Sequence, residues 1–186
     1  AKTSDASARA PGNIKLVTIK TKSGLSFQVA EDKAPQFLGF IRDLEYKRGY
    51  DIKKITGYDA RPGGVMDYNP KTGKYDIPSG RASHHSTGTA IDINPSTNPN
   101  LKNKIVTDMP SNITADAAKW GIGWGANWAT QKDSMHFDAN PASGGRDMAK
   151  DEVLQLLAAQ AKELAKVNVN LAEGNRISKQ IKENGR

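Results

Sequence analysis

The sequence predicts one globular domain of mixed helix and strand, with a flexible leader before it and a helical appendage after it. Three observations carry that reading. Apolar and β-branched runs of hairpin length occur at 14–21 and 25–29, and two later stretches repeat apolar residues at helical spacing. The 186 residues, 37% hydrophobic with only 6% aromatic, suffice for one good core plus a polar extension.

Residues 1–13 mix Ala, Ser, Lys, Pro and Gly without periodicity and read as a flexible leader. They hold no apolar segment of the signal-peptide kind, so no export signal is visible. Ile14–Thr21 and Leu25–Val29 flank Lys22-Ser23-Gly24 as a hairpin. A helix starting at Glu31 or Asp32 presents Ala34, Phe37, Leu38, Ile41 and Leu44 on one face, tolerates Pro35 in its first turn and stops at Gly49. Ile52–Thr56 is the next strand. Gly57–Gly64 is rich in turn residues and carries Arg61 out of the strand end, a kind of position that often holds a functional side chain, although a solvated loop arginine fits as well. Val65–Tyr68 and Lys74–Ile77 form a protruding hairpin. Thr89–Asn94 reads as a short strand with Thr89, Ile91 and Ile93 on one side and Ala90, Asp92 and Asn94 on the other. Pro95–Asn100 is a loop, and Ser111 or Thr114 caps a short helix ending near Trp120. Trp120, Trp124 and Trp128 recur every four residues, but the glycines between them argue against a helix; core and wall packing beside a site is the favoured reading.

The domain runs over 14–149, and 150–186 forms the appendage. Lys150–Leu171 is a helix with Val153, Leu156, Leu157, Leu164, Val167 and Leu171 as its apolar stripe, and the polar segment from Glu173 frays. Leaving such side chains in water forfeits roughly 1.5–3 kcal/mol each, so the stripe is expected to dock on the domain or on another copy of the chain.

Composition limits the function classes. The net charge of +7 favours acidic partners by long-range steering, but it is spread along the chain, with no basic block or aromatic RNA-binding motif, so no nucleic acid is expected. No apolar run approaches a membrane span. There is no cysteine, so any metal must be held by imidazole and carboxylate.

The three histidines fall in two motifs, Ser83-His84-His85-Ser86-Thr87-Gly88-Thr89-Ala90-Ile91-Asp92 and Asp133-Ser134-Met135-His136-Phe137-Asp138. Asp92 lies mid-strand between isoleucines, where a carboxylate costs several kcal/mol unless something cationic compensates. A metal is the sharpest candidate. Zinc held by two imidazoles and a carboxylate keeps a fourth position for water, and His85, Asp92 and His136 supply that set. His84 is the alternative to His85, since adjacent residues on an extended chain point oppositely. Asp133 is placed to take a proton from the attacking water provided that the chain bends, with Asp133 in a loop and Met135-His136-Phe137 in a strand. Asp138, which shares the parity of His136, is its rival.

At these residues the chain resembles the zinc D-alanyl-D-alanine carboxypeptidase and L-alanyl-D-glutamate endopeptidase family, which cuts the peptide stems of bacterial peptidoglycan. The resemblance rests on S-x-H-x-x-G-x-A-x-D at Ser83–Asp92, continuing through Ile93-Asn94-Pro95 and Asn98-Pro99 to Trp124-Gly125 and Met135-His136-Phe137. It implies an α+β fold with a small antiparallel sheet and flanking helices around a zinc cleft. It also implies Zn2+ on His85, Asp92 and His136, with Asp133 as catalytic base and Arg61 as catalytic arginine. Many members of the family carry glutamate where this chain has Asp133, one methylene longer, so the base here must sit closer or act through a water. Arg81, Ser83 and Trp128 are candidate substrate-binding positions, Arg81 being the rival of Arg61. Members of this kind include bacteriophage endolysins and virion-borne wall hydrolases. The resemblance therefore implies action on the bacterial cell wall, with stem peptides as substrate. Cleavage between L-alanine and D-glutamate is favoured, because an exopeptidase needs a closed pocket with a cation dedicated to the terminal carboxylate. Removal of the terminal D-alanine, or a non-catalytic metal-binding virion module on the same fold, is the alternative.

Overall fold

A computed structural model describes residues 14–59, 67–69, 74–76, 83–140, 145–146 and 148–184. The chain divides into two compact units, Ala1–Met148 and Ala149–Arg186. The first is an α+β unit. Its opening hairpin pairs β1 (Leu16–Lys20) with β2 (Ser26–Ala30), Leu16 opposite Ala30 and Lys20 opposite Ser26. Helix α1 (Ala34–Arg42) follows, with Pro35 in its first turn, where a missing amide hydrogen is harmless. It then widens into a π-helical turn over Asp43–Lys47. The helix therefore starts later than Glu31 and changes pitch before Gly49. Its buried face is Phe37, Gly39, Phe40, Ile41 and Leu44, so Phe40 takes the place expected for Leu38.

The central sheet is antiparallel with strand order β3 (Ile55–Thr56), β6 (Ala90–Ile93), β10 (His136–Asp138) and β8 (Gly123–Trp124). β3 is shorter than the Ile52–Thr56 strand expected from composition. Phe137 turns one sheet face towards α1, its ring 4.9 Å from that of Phe40. Ile91, opposite Phe137 in the register, is on that same face. β6 is buried on both faces except at Asp92, which is why its residues show no clean alternation. Trp120 fills the core against α1, where a Cβ on Gly39 would lie 2.3 Å from its ring, and its Nε1 donates to the buried Asp43 carboxylate at 2.8 Å. Trp124 stacks on Phe137, centroids 6.3 Å apart.

Two further two-stranded ribbons are separate from this sheet. β4 (Asp67–Asn69) pairs with β5 (Lys74–Asp76), within the hairpin expected before the first histidine motif. β7 (Asn100–Lys102) pairs with β9 (Gln131–Asp133), although composition marks Asn100 as the end of a loop. The short helix is α2 (Ile113–Lys119), preceded by Asn112 rather than capped by Ser111 or Thr114.

The second unit contains α3, which runs without a break over Lys150–Asn184. Fraying from Glu173 does not occur. No helix among the described residues is long and apolar enough to cross a membrane.

Candidate metal centre

Three elements meet at the site, and a local rule places each side chain. A 3-10 turn over His84–Thr87 opens at Ser83, whose hydroxyl accepts the His85 amide at 3.3 Å, and closes at Gly88 with φ 68°. Glycine adopts that left-handed backbone readily, and a Cβ there would lie only 2.6 Å from Ala30 N. The Ala30 amide instead donates to the Gly88 carbonyl at 2.9 Å, clamping the turn to β2. On the sheet, antiparallel register sets Asp92 of β6 directly opposite His136 of β10, so both project on the same face. Asp138, two residues on, shares that face.

The donor atoms converge. Asp92 Oδ1 lies 3.1 Å from His136 Nδ1 and 3.3 Å from His85 Nε2, and the two nitrogens are 3.3 Å apart. Each imidazole has its other nitrogen occupied. His85 Nδ1 donates to the Gly57 carbonyl at 2.8 Å, and His136 Nε2 faces Asp138 Oδ2 at 3.5 Å. A neutral imidazole donates from one nitrogen and accepts at the other, so in the neutral rings both nitrogens facing Asp92 are acceptors open to a metal, and they hydrogen-bond the carboxylate only when protonated. Tetrahedral zinc with bonds of about 2.0–2.2 Å separates its ligand atoms by roughly 3.3–3.5 Å. The three observed separations fall within a few tenths of an ångström of that.

The electrostatics suit a cation. Burial opposes charge on Asp92, but hydrogen bonds from His136 and His85 outweigh it and hold the carboxyl well below its usual range. Burial likewise opposes charge on His136, yet its hydrogen bonds with Asp138 and Asp92 raise it to about 9. His85 is raised too, the Asp92 carboxylate outweighing its burial. These shifts describe a pocket with an excess of negative charge facing two basic nitrogens, where protons and a metal ion compete.

Asp133 lies beside this cluster at the end of β9. Its place on a strand rather than in a loop corrects the expectation, while the bend follows at Ser134–Met135 as the parity requires. The register pairs Asp133 with Asn100 of β7, whose Nδ2 donates to Asp133 Oδ2 at 2.7 Å. Oδ1 is buried without a hydrogen-bond partner. Burial pushes the carboxyl up to about 6, the charge of Asp92 adding to the rise and the imidazole of His136 opposing it. Gly125 fits between the two motifs: a Cβ on it would lie 2.6 Å from Asp133 O and 3.1 Å from both Asp133 Cβ and His136 Cβ.

Among the other candidates, Asp138 is fully buried and takes hydrogen bonds from the Asn140 amide, at 2.7 Å, and from His84 Nδ1, and these two residues form with His136 a second group that could hold an ion. Ser83 uses its hydroxyl in the turn. Trp128 is half-buried with its ring 5.1 Å from that of His136. Arg61 and Arg81 lie outside the described residues. Sequence reasoning missed Asn100, the Gly57 carbonyl and Gly125; only the glycine left a signal, in the Trp124-Gly125 pair.

Residues 78–139, which include both histidine motifs, match the family model described as D-alanyl-D-alanine carboxypeptidase. This match, together with the cluster of His85, Asp92 and His136, indicates a zinc metallopeptidase. Comparison with curated proteins finds no match. Peptidases of this family act on peptidoglycan peptides. In this peptidase, Gly57 and β2, which hold the histidine turn in place, precede the matched residues.

Proposed function

We propose that this peptidase binds one zinc ion through His85 Nε2, Asp92 Oδ1 and His136 Nδ1, and cuts the stem peptide of peptidoglycan between L-alanine and D-glutamate. The observation that carries the metal reading is the convergence of those three atoms at 3.1–3.3 Å while the remaining imidazole nitrogens are occupied. When bound, zinc supplies a Lewis acid that lowers the pKa of a coordinated water towards about 7.

The chain's own residues perform the rest. Asp133 takes a proton from the attacking water and returns it to the leaving amine nitrogen. With one oxygen held by Asn100, a second unpartnered and a carboxyl pushed up to about 6, it is matched to proton transfer near neutral pH. Arg61 offsets the negative charge that develops on the scissile carbonyl oxygen, a guanidinium being a fixed, permanent cation. Trp128, Arg81 and Ser83 bound the substrate path, Trp128 through its ring and Ser83 through the backbone it shapes. The net charge of +7 suits an enzyme that must approach anionic wall polymers, and the reading extends to a lytic role of the endolysin or virion-borne type.

The endopeptidase reading rests on charge accounting: binding a terminal carboxylate needs a cation in addition to the one facing the oxyanion, and with Arg61 committed to one task the second would have to come from Arg81 or a lysine of the 65–77 hairpin. Mass spectrometry of digests of purified peptidoglycan tests it. New N-terminal D-glutamate, with muramyl-L-alanine left on the glycan, is expected. Free D-alanine released from pentapeptide stems as sole product would establish the carboxypeptidase alternative, and no product at all from zinc-loaded protein the non-catalytic one.

A further inference from the structure

The fold places a second layer behind His136. Strand parity puts Asp138 on the same sheet face as His136, and the 3-10 turn that delivers His85 to the metal side delivers its neighbour His84 to Asp138. We propose that Asp138 and His84 act as positioning residues that fix the tautomer and orientation of His136, so that its Nδ1 lone pair stays aimed at the zinc position. The inference rests on the metal reading above.

Asp138 Oδ2 faces His136 Nε2 at 3.5 Å and accepts from His84 Nδ1, while Oδ1 accepts the Asn140 amide at 2.7 Å. The carboxylate has no exposed surface, and an ion so buried persists only when its lone pairs are met. A carboxylate oxygen facing Nε2 favours the imidazole proton there and leaves Nδ1 as the accepting atom. His84, half-exposed at the outer end, anchors the same oxygen and limits how the carboxylate can rotate. His85 obtains the equivalent constraint from the Gly57 carbonyl, so each proposed histidine ligand has an acceptor behind it.

His84, Asp138 and His136 also each offer one ligand atom within 4.8 Å of the others and could themselves hold an ion. A neutral His136 has one lone pair, however, so it cannot serve both groups. One zinc per chain is therefore expected.

Zinc stoichiometry and affinity, measured against a chromophoric chelator, test this together with the visible spectrum of the cobalt(II)-substituted protein and its circular dichroism. Asp138→Asn keeps the shape and one acceptor but loses the charge. It is expected to weaken zinc binding about 10- to 100-fold and to shift the cobalt bands in a folded protein. His84→Leu, at a half-exposed position that does not threaten folding, should weaken binding several-fold, and His84→Asn, whose amide can replace Nδ1–H, should restore most of it. Unchanged affinity and cobalt bands in both Asp138→Asn and His84→Leu would overturn the inference while leaving the metal reading intact. Two equivalents in the parent, with one lost in Asp138→Asn, would also overturn it. A parent that takes no zinc would overturn the metal reading first.

Discussion

Asp92 and His136 stand on β6 and β10, neighbours at the centre of the four-stranded sheet, whereas Asp133 stands on β9, whose only partner strand among the described residues, β7, belongs to a separate ribbon. The first pair is held by backbone register, by buried neighbours on both sheet faces and by acceptors behind each imidazole. Asp133 is oriented by one side-chain hydrogen bond, from Asn100, at the surface. The difference separates two requirements that peptidases must meet together. The proposed ligand atoms are fixed by the folded backbone, so they tolerate little and change all at once. The proposed base is fixed by side-chain chemistry, so its performance should be gradable without disturbing the proposed metal site.

The sharpest test of that contrast is Asp92→Ala, which should lose both zinc, by elemental analysis, and turnover on peptidoglycan. Retained zinc or full activity would end the assignment. Asp133→Ala should keep stoichiometric zinc yet lose about 10²-fold or more in turnover, as for a general base that is not a ligand. Loss of zinc in that variant would erase the distinction between the two regions. Gly125→Ala strikes both, because its Cβ would crowd Asp133 and His136 together. Overpacking of this kind costs about 1–3 kcal/mol, to be seen as a lower melting temperature accompanied by weaker zinc binding. A variant that melts like the parent would show that the two motifs can move apart freely.

Smaller effects should appear in the pH profile. A base must be deprotonated, so turnover falls as pH drops through the pKa of Asp133, which stands at about 6. A bound cation nearby favours the carboxylate and can only lower that value, which places the acid limb of kcat at or below about pH 6. Asn100→Ala removes a hydrogen bond that favours the charged form. The acid limb should therefore move to higher pH, kcat should fall about tenfold, and zinc affinity should stay unchanged. An unmoved acid limb would mean that Asn100 serves only the ribbon.

The α+β class was legible because hairpins and helices each left their own period, and the position of Asp92 was legible because a mid-strand carboxylate between isoleucines contradicts its surroundings. The bend before His136 followed from parity alone. Other features had no local signature. The strand at Asn100 hides in a proline- and asparagine-rich stretch that reads as loop, and its pairing partner lies 33 residues on. The proximity of His84 and Asp138 depends on closure over 54 residues, and the acceptor behind His85 is a main-chain carbonyl, which any residue could provide. The helix continuing past Glu173 is polar, so no apolar period marks it there. The π-helical turn at Asp43–Lys47 has no sequence rule that would foretell it.

The clamp between Gly88 and Ala30 bears on the order in which the molecule assembles. His85 is 51 positions from His136, Asp92 is 44 from it, and the turn that aims His85 is pinned by a strand more than fifty residues upstream. His85 and Asp92 are neighbours in sequence, but bringing His136 to them closes loops of 44 and 51 residues, which costs entropy before the third ligand is in place, unlike the short ligand spacings of small zinc modules that fold around their ion. An ion held by the three proposed ligands would therefore make a poor nucleus for this fold. On that reading the opening hairpin, the central sheet and the histidine turn come together first, and the proposed ion is captured by a chain that has already committed to its topology.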